Sequence, residues 1–117
     1  MCSICGMIDY KNPNNLNFEV LEKMGATMKH RGPDESGYIL TKFAAFQHNR
    51  LSVMDIEKGK QPMSTFFEGK KYTIIYNGEI YNSDELRKEL LKRGVEFKTN
   101  CDTETILYTY IVYKEKC

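Results

Sequence analysis

The sequence carries no surplus of charge of either sign: Lys and Arg number 17 against 16 Asp and Glu, a formal net charge of +1. A phosphate backbone is bound by neutralising several of its charges at once, so this balance argues against nucleic acid as a partner. Long hydrophobic runs are missing as well. None approaches the roughly 20 apolar residues that a membrane-spanning helix needs, and the first residues lack a charged stretch followed by an apolar one. The expectation is a cytoplasmic protein with no membrane partner. Without an export signal, Cys2, Cys5, Cys101 and Cys117 do not read as a disulfide framework. Cys2 and Cys5 form a Cys-x-x-Cys, but no second such pair and no His-x3-His completes a metal-ligand set. No repeat, low-complexity tract or linker divides the chain, so residues 1–117 read as one domain. At this length a single core buries roughly two-thirds of the unfolded surface.

Turn formers and apolar spacing set the elements that are present. Ile4 to Tyr10 reads as a strand closed by the turn cluster Lys11-Asn12-Pro13-Asn14-Asn15. Phe18, Leu21, Met24 and Met28 recur at helical spacing, and Arg31-Gly32-Pro33-Asp34 ends that pattern after His30. Gly37 to Leu40 and Ala44 to Gln47 read as a strand hairpin, and Tyr72 to Tyr76 as a third β-branched and aromatic strand. Asn82 and Glu85 fit a capping box for a helix with Leu86, Leu90 and Leu91 on one face, and Gly94 sits where its C-cap belongs. Thr103 to Tyr113 has strand-like composition, but Asp102 suits a helix cap, and we read it as a helix. Mixed strands and helices of this kind give an α+β class.

Cys2 is the first residue with an unusual chemical option. It is small enough for removal of Met1, which would place a thiol and a free α-amine on one residue. The amine has a pKa of about 8 and the thiol about 8.5, so near neutral pH the amine is a usable base for the thiol proton. From its position alone, Cys2 reads as the accident of a second codon. Asn77-Gly78 offers a side-chain amide and a backbone N–H in adjacent residues, the donors an acyl-transfer oxyanion needs. Taken singly, the same pair is also the commonest signature of a two-residue hairpin turn. An amino-acid substrate requires a cation such as Arg50 and an anion such as Glu79 or Asp102, and each of these also suits a solvated surface.

Six blocks in one order carry a resemblance. They are Met1-Cys2-Ser3-Ile4-Cys5-Gly6, Arg31-Gly32-Pro33-Asp34, His48-Asn49-Arg50-Leu51-Ser52-Val53-Met54-Asp55, Gln61-Pro62-Met63, Tyr76-Asn77-Gly78-Glu79-Ile80-Tyr81-Asn82 and Cys101-Asp102-Thr103-Glu104. Together they resemble the class II glutamine amidotransferases, in particular the N-terminal domain of glutamine-dependent asparagine synthetases, from Cys2 to about Tyr113. The resemblance implies a nucleophile-first αββα sandwich in which Cys2 attacks the glutamine amide and forms a thioester. Asn77 and Gly78 would hold the oxyanion. Arg50 would grip the substrate carboxylate, Glu79 and Asp102 would face its ammonium, and Leu51, Ser52, Val53 and Met54 would line the pocket with backbone groups. The implied partners are glutamine and a synthetase domain or subunit that accepts the ammonia. His30 and His48 are expected to be structural, Cys5 and Cys101 buried, and Tyr76 and Tyr81 packing residues.

Two departures from the family pattern set further expectations. Ser3 stands where the family has glycine, and serine at a positive φ would misplace Cys2. The chain is also shorter than the family's domain, which implies an incomplete sandwich whose exposed edge and apolar face favour self-association, as in a homodimer. It carries no glycine-rich nucleotide loop, so no cofactor is expected here, and ATP and magnesium would belong to a synthetase domain. The alternative is a truncated, catalytically silent relative that binds glutamine or another protein.

Overall fold

Two small antiparallel sheets, each with helix against one face, build the computed structural model, which describes residues 1–52 and 55–117. The first sheet has the order β1-β3-β2, formed by β1 (Ser3–Ile8), β2 (Glu35–Leu40) and β3 (Ala44–Arg50). Its register pairs Ser3 with Asn49 and Glu35 with Arg50, so the start of β1 lies beside the end of β3. Helix α1 (Phe18–Thr27) covers one face, and its N-terminus is closed by the Asn17 side chain, which accepts from the Glu19 N–H at 2.9 Å. Leu21 of α1 is fully buried, and the Phe18 ring lies 4.6 Å from that of Tyr38 on β2. On the opposite face Ile4 and Ile8 are exposed.

The second sheet is the hairpin of β4 (Met63–Phe67) and β5 (Lys70–Ile74). Met63, Tyr72 and Ile74 pack on a core of Leu90, Val95, Leu107, Tyr108 and Ile111, which α2 (Ser83–Lys92) and α3 (Asp102–Tyr113) supply with the connection between them. The α+β class and the helical reading of the last segment are thus as the sequence indicates. Among the described residues, no helix is long and apolar enough to cross a membrane.

Several local expectations are corrected. Strand β4 was not foreseen from Met63-Ser64-Thr65-Phe66-Phe67; its turn places Glu68 at φ 49° and Gly69 at φ 74°, a left-handed pair that reverses the chain in two residues. Asn77-Gly78 is not a hairpin turn, because β5 ends at Ile74 and the chain runs on to α2. The Asn82 side chain makes no capping bond, so the capping box does not form, whereas Gly94 does take the positive φ, 86°, of a helix terminator. Asp102 does not cap α3 either; it is the helix's first residue, and its carboxylate accepts from the Ile80 N–H instead. Cys101 is buried but Cys5 only partly so, and Tyr81, expected to pack, is 97% exposed.

Candidate functional site

Strand pairing brings Cys2 to the end of β3. Because Ser3 lies opposite Asn49, Cys2 falls beside Arg50 and Leu51. The Leu51 N–H donates to the Cys2 Sγ at 3.3 Å, and the thiol in turn lies 3.6 Å from the Leu51 carbonyl oxygen that can accept from it. The nucleophile candidate is therefore held by backbone, half-buried, at a strand terminus.

Ser3 does not have the positive φ that would disturb this arrangement; among the described residues the non-glycine positions with positive φ are Asp55, Glu68 and Lys114. Ser3 is instead 4% exposed and structural. Its hydroxyl donates to the Met28 carbonyl at 3.3 Å and accepts from Asn49 Nδ2 at 3.1 Å, while the same Nδ2 donates to the Gly25 carbonyl at 2.8 Å. Asn49 Oδ1 accepts from the Ser36 hydroxyl at 2.8 Å, so one polar cluster ties β1, β2, β3 and α1 together behind Cys2. Ser3→Gly is accordingly expected to lower stability by about 1–2 kcal/mol, from the lost hydrogen bonds and the freer chain, read as a reduced urea midpoint at unchanged slope. An unchanged or raised midpoint would mean that the cluster does not depend on the hydroxyl.

Arg50 is 4% exposed, and its place is set by a short wrap of chain. Its Nη1 donates to the Ile56 carbonyl at 2.9 Å, its Nη2 to the Asp55 carbonyl at 2.8 Å, and Glu35 Oε2 lies 3.5 Å from Nη1. Asp55 stabilises that wrap by accepting from the Asn100 N–H at 2.9 Å and the Lys58 N–H at 3.2 Å. The Asn100 bond is the main reason its carboxyl is held below the usual range. The guanidinium is thus fixed by two carbonyls and paired with the Glu35 carboxylate.

From later in the chain come Asn77, Gly78 and Glu79, on the segment after β5, and Asp102 at the start of α3. Asp102 Oδ2 accepts from the Ile80 N–H at 3.1 Å, which fixes the far end of that segment. Burial, then the charges of Asp102 and Glu79, push the Tyr76 hydroxyl above the usual phenol range. These two carboxylates thus make one wall of the site negative, and Arg50 supplies the cation. Cys2, Arg50, Leu51, Asn77, Gly78, Glu79 and Asp102 all line one cavity of about 410 Å³. Ser52 is not among the lining residues; its N–H donates to Asp34 Oδ2 at 2.7 Å. Val53 and Met54 lie outside the described residues.

Beyond the residues assigned from sequence, the cavity is also lined by Met1, Gly59, Gln61, Tyr76, Tyr81, Cys101 and Thr103. Gln61 lies in the Gln61-Pro62-Met63 block, a signal of resemblance that attaches no role to the residue. His30 is exposed outside the cavity. His48 is fully buried with Nε2 3.1 Å from the Tyr76 carbonyl, and burial, reinforced by Arg50, holds its imidazole below the usual range and so neutral.

Residues 1–117 match, over the whole chain, the family model described as a glutamine amidotransferase domain. Asparagine synthetase [glutamine-hydrolyzing] 3 of Bacillus subtilis is 44% identical over 117 residues, covering 100% of this chain and 19% of that protein. Asparagine synthetase B [glutamine-hydrolyzing] of Escherichia coli is 40% identical over 111 residues, covering 94% of this chain and 19% of that protein. A putative asparagine synthetase [glutamine-hydrolyzing] 2 of Methanocaldococcus jannaschii is 36% identical over 127 residues, with 94% and 24% covered. The chain spans about a fifth of the length of the curated relatives it matches.

Proposed function

The chain belongs to the glutamine amidotransferase domain family, and from that premise we propose that it hydrolyses the side-chain amide of glutamine through a thioester on Cys2. The observation that carries this reading is the convergence of Cys2, Arg50, Asn77, Gly78, Glu79 and Asp102 on one cavity, from segments far apart in sequence. A hairpin-and-surface account of these residues predicts no such meeting.

With Met1 removed, the Cys2 α-amine takes the thiol proton and the thiolate attacks the amide carbon. The Asn77 side-chain amide and the Gly78 N–H donate to the oxyanion as the tetrahedral centre forms. The protonated amine then gives its proton to the departing nitrogen, ammonia leaves, and the thioester remains. Water, deprotonated by the same amine, attacks the thioester, releasing glutamate and restoring the thiol. Arg50 binds the substrate carboxylate, Glu79 and Asp102 its ammonium, and Leu51 lines the path beside Cys2. None of these steps calls for a cofactor, and ATP and magnesium belong to a synthetase domain or subunit that takes the ammonia. We place the two helix-backed sheets as parts of the αββα sandwich implied by the sequence motifs.

The N-terminus supplies the test. While Met1 is in place, the nitrogen of Cys2 is a peptide nitrogen and cannot act as the base; Met1 also lines the cavity. Protein verified by intact mass to begin at Cys2 is expected to release glutamate from glutamine. Protein that retains Met1 is expected to be slower by about 100-fold or more, the usual worth of a positioned general base. Absence of glutamate release from folded protein beginning at Cys2 would remove the reading and leave a silent glutamine-binding domain.

A further inference from the structure

Tyr76, the residue before the Asn77 and Gly78 donors, has its backbone gripped on both sides by side chains. Gln61 Oε1 accepts from the Tyr76 N–H at 2.6 Å, and His48 Nε2 lies 3.1 Å from the Tyr76 carbonyl oxygen. A carbonyl only accepts, so the proton of the neutral imidazole sits on Nε2. Among the described residues Nδ1 is buried without a hydrogen-bond partner, which is tolerable for a lone pair and costly for a second N–H, so the environment selects this tautomer.

The two gripping side chains are themselves fixed. His48 is in the central strand β3, fully buried, directly opposite Gly37 of β2. The Gln61 carbonyl oxygen lies 2.1 Å from where a Cβ on Gly37 would be, so the backbone of Gln61 crosses the sheet beside His48, and only glycine leaves it room. Gln61 Nε2 donates to Thr103 Oγ1 at 3.3 Å, which anchors the amide and orients its oxygen toward Tyr76. The grip therefore connects the central strand of one sheet and the start of α3 to the peptide that leads into Asn77.

We infer that His48 and Gln61 are positioning residues for the oxyanion donors: by clamping the Tyr76 peptide they set where the Asn77 amide and the Gly78 N–H point. This rests on the glutaminase reading given above. His48 is not among the cavity-lining residues, and Gln61, which is, has its amide engaged by the Tyr76 N–H and Thr103. Their effect falls on the transition state, because the donors they aim are strongest when charge has developed on the oxygen, whereas the Arg50 clamp on the ground-state substrate is left in place.

The test uses protein beginning at Cys2, with His48→Leu and Gln61→Met to remove each bond at similar volume. The conservative pair is His48→Gln, whose amide donor reaches about as far as Nε2, and Gln61→Glu, which keeps the acceptor. His48→Leu and Gln61→Met are expected to lower kcat by about 10- to 100-fold, the scale of an ångström misplacement of catalytic groups, with KM for glutamine nearly unchanged. The conservative variants are expected to recover most of that loss. In parallel, amide hydrogen exchange at Tyr76 is expected to be faster in Gln61→Met than in the parent. A parental kcat in both bond-removing variants, or equal losses in the conservative ones, overturns the assignment. A parent that releases no glutamate is a failure of the glutaminase reading; the clamp is then decided by exchange alone, upheld if Tyr76 loses protection in Gln61→Met and overturned if it does not.

Discussion

Replacing Cys2 with alanine is expected to abolish glutamate release, a fall of at least about 1,000-fold, while the chain stays folded. The size follows from what is removed. With no sulfur, no thioester forms, and the remaining donors act only on direct attack by water, which lacks a positioned nucleophile. Stability should hardly change, because Cys2 is half-buried and its two sulfur contacts are to a single backbone residue, Leu51. Cys2→Ser is the sharper comparison. It keeps a nucleophilic atom of similar reach, but a hydroxyl is a far weaker acid than a thiol, and an α-amine with a pKa of about 8 cannot activate it as well. Cys2→Ser should therefore also fall by orders of magnitude. Rates near that of the parent in either variant, in protein of verified N-terminus, would exclude Cys2 as the nucleophile.

What the sequence disclosed well was whatever depends on local pattern. Spacing of Phe18, Leu21 and Met24 marks α1, the hairpin read over Gly37 to Leu40 and Ala44 to Gln47 falls within β2 and β3, and Gly94 marks the end of α2 with its positive φ. The failures occur where a distant partner decides. Asn82 and Asp102 both have the chemistry of helix caps. Yet Asp102 gives its carboxylate to the Ile80 N–H, 22 positions away, and α2 begins without a side-chain cap. Strand β4 was passed over because its turn residue Glu68 is not a usual left-handed residue; Gly69 alone does not announce a hairpin. Ser3 is the most instructive. The sequence raised the question of its φ but could not answer it, since the answer is the β1 to β3 register and a hydroxyl shared with Asn49. For the site, motif blocks contain most of the cavity-lining residues, and Gln61 received no role because its side chain bonds the backbone of Tyr76, a partner 15 positions away.

Arg50→Lys is the second change with a large expected effect, and it separates binding from chemistry. A guanidinium can keep the Asp55 and Ile56 carbonyls and still present planar N–H groups to a carboxylate, whereas an ammonium has three donors from one point and a shorter reach. Lysine would spend those donors on the wrap of chain or on the substrate. Loss of a buried, hydrogen-bonded partner for a charged group weakens binding by about 2–4 kcal/mol, or roughly 30- to 1,000-fold. We therefore expect KM for glutamine to rise on that scale, with kcat at saturating glutamine within about threefold of the parent, since the carboxylate contact is made equally in the ground and transition states. Part of the change will fall on stability, because the buried Arg50 to Glu35 pairing at 3.5 Å is disturbed, and the other pairing of Glu35 among the described residues is with the well-exposed Lys60. A thermal melt in the absence of glutamine measures that part separately. If KM stays at the parental value in folded Arg50→Lys, Arg50 is an organiser of the 55–58 wrap alone, and the substrate carboxylate is held by another group. If kcat falls with KM unchanged, Arg50 acts through the position of Cys2 and Leu51, its neighbours at the end of β3, and the carboxylate clamp must be sought elsewhere in the same cavity.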